Sequence, residues 1–218
     1  MRKRCSDGQL EMRLPMWGGR RTGAGRKPVG PRPGVTHSAR GALASRHPVH
    51  VTLRVLDDVW NLRSRRCFRV IEAALFRGSN RLGLRLTHYS VQGNHLHLIV
   101  EARDTQALSR GTQGLSVRIA RSLNRLMGRR GKVFADRFHS HVLRTPREAR
   151  NAIHYVLGNA RIHARRQGRS TSAHPDPYAA GPIDGGASSA LRSVVPPRTW
   201  LLRVGWRVRS DGGPAGPA

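Results

Sequence analysis

Two strand-like runs, "LRLTHYSVQ" (84–92) and "HLHLIVEA" (95–102), are separated only by Gly93-Asn94. A two-residue link can only turn the chain straight back, so the two runs must pair antiparallel; a parallel pair would need a crossover of roughly a dozen residues or more. The rest of the fold has to be built around this hairpin. In the second run, alternation sends His95 and His97 to one side and Leu96 and Leu98 to the other.

The flanking segments supply the remaining elements. "PVHVTLRV" (48–55) alternates Val49, Val51, Leu53 and Val55 with polar residues and reads as a strand. Residues 63–77 follow with Cys67, Val70, Ile71, Ala74 and Leu75 at helical spacing, and Gly78 is the stop. After the hairpin, 106–127 predicts a second helix with Leu108, Leu115, Ile119, Leu123 and Leu126 on one side. Thr105 is its expected cap and Gly128 its end, and Gly111 and Gly114 weaken its first turns. "RFHSHVLR" (137–144) predicts a fourth long strand. Thr145-Pro146-Arg147-Glu148 has the form of a capping box with Pro at the first helical position, opening a helix to about His163. The order β-α-β-β-α-β-α predicts an α+β fold, an antiparallel sheet with helices packed on one face.

Composition limits how much of the chain can join that fold. Apolar residues are 38% and aromatics 5% of 218 residues, below the usual apolar share of roughly 45–50%. Residues 1–46 are rich in Arg, Gly and Pro and show no period, so a disordered basic arm is expected there. Residues 167–218 return to Gly, Pro, Ser and Ala, a low-complexity tail apart from the apolar segment "TWLLRVGW" (199–206). That segment can dock on the domain or stay exposed. The foldable domain is therefore 47–166.

Charge and cysteines narrow the function classes. Lys plus Arg number 40 against 12 acids, a net charge of +28, and only Lys3, Lys27 and Lys132 are lysines. Such a chain repels itself unless a polyanion neutralises it, and guanidinium pairs with phosphate through two hydrogen bonds at once. Nucleic acid is the first partner to consider. Two cysteines, Cys5 and Cys67, make neither a disulfide framework nor a cysteine zinc site, and Cys67 reads as core. No apolar run is long enough to span a membrane, and the N-terminus lacks the apolar core of a signal peptide, so the expected place is the cytoplasm, on the nucleic acid.

Several side chains could carry chemistry. Two imidazoles facing one way, His95 and His97, suit a divalent cation, but His139-Ser140-His141 has the same form and either pair can be an ordinary sheet face. On the last helix Tyr155 and Asn159 are one turn apart on one side, flanking the stripe Ala149, Ala152, Ile153, Val156 and Ala160. Taken alone, Tyr155 fits core packing with a wet hydroxyl, and Asn159 a surface position.

Together, "GNHLHLIVE", the downstream "YVLGN", the opening "HPVHVTLRV", "GKVFADRFH" and "TPREARNAIHYVLGNAR" resemble the HUH single-tyrosine transposases, and within them the REP-associated tyrosine transposases, over about residues 47–166. The resemblance implies a ferredoxin-like sheet, a Mg or Mn ion held by His95, His97 and Asn159, and Tyr155 as nucleophile. Ala160 stands where many relatives have Pro, and Gly158 weakens the helix just before Asn159. The implied activity is a metal-dependent endonuclease and strand transferase on single-stranded DNA, at hairpins from imperfect palindromes, through a 5′-phosphotyrosine. A free phenol ionises near pH ~10, so a base or the metal's field must assist; His154 and His139 are candidates by sequence proximity alone, and both also fit as bystanders. Arg118, Arg121 and Arg125, with Arg129 and Arg130, could hold hairpin-stem phosphates. A homodimer that lends the tyrosine helix across subunits is one admissible assembly. The alternatives are a domesticated, inactive transposase and a non-catalytic RRM-like nucleic-acid-binding protein. An RRM-like surface needs aromatics on its central strands, and here only Tyr89 qualifies. A carboxylate-dependent nuclease would need a strand-borne acidic set, which 12 acids do not form.

Overall fold

A computed structural model describes residues 41–166, 176–181 and 193–208. The elements are β1 (Val49–Arg54), α1 (Arg65–Gly78), β2 (Asn80–Arg81), β3 (Leu84–Val91), β4 (His95–Ala102), α2 (Thr105–Met127), β5 (His139–Val142), α3 (Pro146–Arg166), β6 (Ala179–Ala180) and α4 (Trp200–Arg203), followed by a 3-10 turn at Gly205–Arg207. The sheet is antiparallel in the order β2-β3-β4-β1-β5, with β6 on β3. The four longer strands thus run β3-β4-β1-β5, the split β-α-β arrangement of the ferredoxin-like class. The expected α+β class stands. Most of the arm expected at 1–46 lies outside the described residues, as do 167–175, 182–192 and 209–218.

The ends of the elements follow local chemistry. Ser64 caps α1 by accepting from the Cys67 N–H at 3.3 Å. The cap of α2 is Asp104 rather than the expected Thr105: its carboxylate accepts from the Ala107 N–H at 2.7 Å. That bond also holds the Asp104 carboxyl below its usual range. Thr105 instead joins the helix, and its hydroxyl donates to the Gly41 carbonyl and accepts from the Leu43 N–H. Gly128 closes α2 in the left-handed region, φ 63°. The capping box of α3 is present: the Glu148 N–H donates to Thr145 Oγ1, and the Thr145 N–H donates back to Glu148 Oε2. The strand expected at 137–144 is shorter, His139–Val142.

One face of the sheet is dry. Val49, Val51, Leu53, Leu96, Leu98 and Val100 pack with the buried sides of α1 and α2, including Cys67, Ile71, Leu115 and Ile119. Gly111 has its reason here. A Cβ on it would lie 2.3 Å from that of Leu84, so the glycine lets α2 close on β3. A register shift between Leu86 and His88 makes Thr87 a bulge. Leu84 and Leu86 before it, and Tyr89 and Val91 after it, therefore all join the same core.

The layering departs from helices on one face only. α3 covers the opposite face, where Ala149, Ala152, Ile153 and Val156 pack with Ile99 and Leu143. The segment "TWLLRVGW" docks there too: Leu201, Leu202 and Trp206 complete this second cluster. The buried Glu101 holds it in place, accepting from the N–H groups of Arg198 (2.8 Å) and Thr199 (2.7 Å) while paired with Arg85 at 3.4 Å. Residues 176–181 are also part of the body. Arg63 grips Asp176 through two hydrogen bonds of 2.8 Å and lies over the Tyr178 ring.

Candidate active site

Strand register gathers histidines on the face that α3 covers. His50 lies opposite both Ile99 and His141, and Thr52 opposite both His97 and His139. Beyond β4, His88 is opposite Ile99 and Ser90 opposite His97. Residues directly paired across antiparallel strands share a face, so His50, His88, His95, His97, His139 and His141 all lie on one side. The two His-x-His runs, separable in sequence only by context, belong to the same surface.

Tyr155 comes down onto this surface. Its hydroxyl is 3.5 Å from His97 Nε2, the two ring centroids are 5.0 Å apart, and the rings meet edge to face at 77°. His97 is buried at 4% exposure, whereas Tyr155 keeps 38%. A phenol buried in the core could not reach a substrate; this one is open on one side and seated on an imidazole on the other. Both groups come from the same chain, so no second subunit is needed to bring them together.

Around His97 the hydrogen bonds are specific. Its Nδ1 is 3.2 Å from His50 Nε2 and 3.2 Å from Thr52 Oγ1. When Nδ1 carries the proton and shares it with these acceptors, Nε2 presents its lone pair toward the Tyr155 side. Burial, reinforced by His141 and then His139, lowers the His50 pKa to about 4, so His50 is neutral at ordinary pH and can accept. His95 sits beside His97, ring centroids 4.7 Å apart, with Nδ1 2.8 Å from Asn94 Oδ1. An amide oxygen only accepts, so Nδ1 is the donor in this contact, and in the neutral ring that leaves the lone pair on Nε2. His50 and Thr52 are the neighbours that sequence reasoning missed. Their only sign was that they fill the polar phase of the "HVTLR" alternation.

Asn159 is not on the surface. It is 1% exposed, and neither its Oδ1 nor its Nδ2 has a hydrogen-bond partner among the described residues. One helical turn beyond Tyr155 on the same side, it is a buried amide lacking the bonds that burial ordinarily demands. Two imidazoles and an orphaned amide oxygen are a chemically suitable donor set for Mg or Mn. Among the described residues no three His, Cys, Asp or Glu side chains form a metal-holding group, so a cation here would depend on Asn159 for a third protein ligand.

Other residues singled out in the sequence lie elsewhere. Arg118, Arg121 and Arg125 are on α2, the helix over the opposite face. Arg129 pairs with Asp58 at 3.1 Å and bonds the Lys132 carbonyl, and Arg130 is exposed beyond the end of α2. The structure does not bring this group to Tyr155. His154 faces the Trp206 ring, 6.3 Å between centroids, and His139 is exposed on β5. Tyr89, the strand aromatic that an RRM-like surface would need, is fully buried in the α1/α2 core. Among the described residues no helix is long and apolar enough to cross a membrane.

No protein-family model and no curated protein matches the chain. Among solved structures it is similar to a REP-associated tyrosine transposase bound to a REP hairpin, at 13% identity and a TM-score of 0.48, over 68% of this chain and 99% of that one. It is also similar to a candidate transposase from Deinococcus radiodurans R1, at 14% identity and a TM-score of 0.39, over 63% of this chain and all of the other.

Proposed function

We propose that this chain is a metal-dependent endonuclease and strand transferase for single-stranded DNA, with Tyr155 as its nucleophile, the activity that its resemblance to the HUH single-tyrosine transposases implies. The observation that carries the reading is the Tyr155 hydroxyl 3.5 Å from His97 Nε2, on a phenol that remains partly open to solvent.

A Mg or Mn ion held by His95, His97 and Asn159 would polarise the scissile phosphate and draw charge from its oxygens. The chain's own residues do the rest. His50 and Thr52 hold the His97 ring in orientation through Nδ1. The rigid backbone of α3, packed through Ala152, Ile153 and Val156, aims the phenol at the sheet. The Tyr155 oxygen attacks phosphorus, a P–O bond forms to the ring oxygen, and the bond to the 3′-oxygen breaks, releasing a 3′-hydroxyl. The product is a 5′-phosphotyrosine. Attack on it by another 3′-hydroxyl restores a phosphodiester and frees Tyr155 without ATP. DNA that forms hairpins from imperfect palindromes is the proposed substrate, and the net charge of +28 favours its capture.

The test uses the full chain, Mn²⁺ and hairpin-forming single-stranded DNA labelled on the 3′ side of the cleavage point. Wild type is expected to form an adduct that survives SDS, Tyr155→Phe none, and a chelator should abolish it. No adduct with wild type, or an equal adduct with Tyr155→Phe, overturns the reading.

A further inference from the structure

A second feature lies at the other end of the tyrosine helix. Where α3 begins, the segment before β1, the β5–α3 junction and the docked C-terminal segment enclose a cleft of about 520 Å³. Its walls include Arg46, His47, Arg144, Arg198, Thr199 and Trp200. Lining residues contribute guanidinium groups but no carboxylate, and the side chains of Arg46, Arg144 and Arg198 have no acidic partner among the described residues. The two carboxylates that bond the backbone of lining residues are already committed. Glu101 is bound by the N–H groups of Arg198 and Thr199 and by Arg85, and Glu148 by the capping box and His141.

The aromatic in this cleft is not an incidental surface residue. Trp200 is 56% exposed, an unusual state for so large an apolar ring beside three cations. Its position is set from behind by Gly205: a Cβ there would lie 2.5 Å from Trp200 Cζ3, so only glycine lets the ring rest on that backbone. A fixed flat ring and three unpaired guanidinium groups together match a ligand with a π-face and an anion.

We propose that this cleft seats one unpaired nucleotide of a DNA strand, its base stacked on Trp200 and its phosphates held by Arg46, Arg144 and Arg198. The assignment rests on the reading of the chain as a single-strand DNA enzyme and adds where the strand is gripped away from the chemistry. Pro146 precedes Tyr155 by about 14 Å along the helix axis, so one strand can span both. Duplex DNA would leave the ring idle, because its bases are already stacked; a free base makes use of it. An acidic peptide would satisfy the arginines but not the platform.

The experiment measures binding apart from chemistry. Full-length Tyr155→Phe protein, with chelator, is titrated into a labelled oligothymidylate and into one of equal length with abasic sites, followed by fluorescence anisotropy. The parent is expected to bind the natural strand about ten-fold more tightly than the abasic one. Adding Trp200→Ala should remove that preference and weaken binding of the natural strand about ten-fold, while Trp200→Phe keeps most of it. Trp60→Ala, at an exposed tryptophan on a different loop, should leave the preference intact. Arg144→Ala with Arg198→Ala should weaken both strands and reduce the salt dependence by roughly 1.4 in the log–log slope. Equal binding of natural and abasic strands by the parent, or an unchanged preference after Trp200→Ala, overturns the proposal. So does an equal loss on heparin with Trp200→Ala, which would mean a polyanion site without a base platform. If wild type forms no SDS-stable adduct and yet the Trp200 effect appears, the cleft stands and the nuclease reading falls; the reverse result leaves the nuclease and removes the cleft.

Discussion

The two faces of β4 were built for opposite purposes. Toward α1 and α2 it offers Leu96, Leu98 and Val100; toward α3 it offers His95, His97, Ile99 and Glu101. The first set lies in the apolar core and is sealed. The second is polar and held by specific bonds: His97 to His50 and Thr52, Glu101 to the backbone of the C-terminal segment. Alternation along one strand thus separates what stabilises the domain from what can act on a substrate. The histidine face can keep an underbonded amide and a half-open phenol because the leucine face supplies the stability.

The sharpest way to break this comparison is to cut each face at neighbouring positions. Leu98→Ala should cost about 2–5 kcal/mol in urea unfolding, the usual range for a large apolar side chain lost from a packed core. It should leave adduct formation intact in whatever fraction stays folded. His97→Ala should cost less stability than Leu98→Ala and yet abolish Mn²⁺-dependent adduct formation. If the two variants behaved alike in both assays, the division of labour between the faces would be wrong.

A smaller effect sharpens the same point at the start of α3. The Arg144 N–H first, then the Thr145 N–H and hydroxyl and the His141 ring, hold the Glu148 carboxyl below its usual range. A depressed carboxyl contributes stability that is full above its unfolded pKa of about 4.3 and is lost as the pH falls through the lower folded value. Glu148→Gln should therefore cost about 0.5–1 kcal/mol at pH 7. The difference from wild type should shrink as the pH is lowered below about 4, in unfolding curves taken at each pH.

Much of this was legible from local pattern. The Gly93-Asn94 link, the period of each helix and the capping box at Thr145 depend on neighbours in sequence, and each appears in the structure. The meeting of Tyr155 with His97 was implied only by the family resemblance; taken alone, Tyr155 fits core packing, and it is the placement of α3 on the histidine face that brings the two together. What stayed hidden is non-local. Thr87 reads as one more residue of an alternating strand until its partner reveals the bulge, and β2 and β6, two residues each, carry no period at all. His50 gave no sign beyond being a polar residue in a strand. Docking of the C-terminal segment depends on Glu101, which lies 97 residues before Arg198, and nothing in "TWLLRVGW" names that distant carboxylate.

That docked segment has a consequence for how the molecule comes to exist. Arg150 donates to the Trp206 carbonyl across 56 residues of chain, and Leu201, Leu202 and Trp206 lie against the side of α3 that carries Ile153 and Val156. The residues that cover this side of α3 are therefore made after the helix itself. Until they dock, Ile99 and Leu143 cover only part of that apolar stripe, and the rest lacks its partner. A product ending before residue 199 would keep Tyr155, His95 and His97 but would leave bare the side of α3 that Leu201, Leu202 and Trp206 cover, so the second cluster is complete only once this segment has docked.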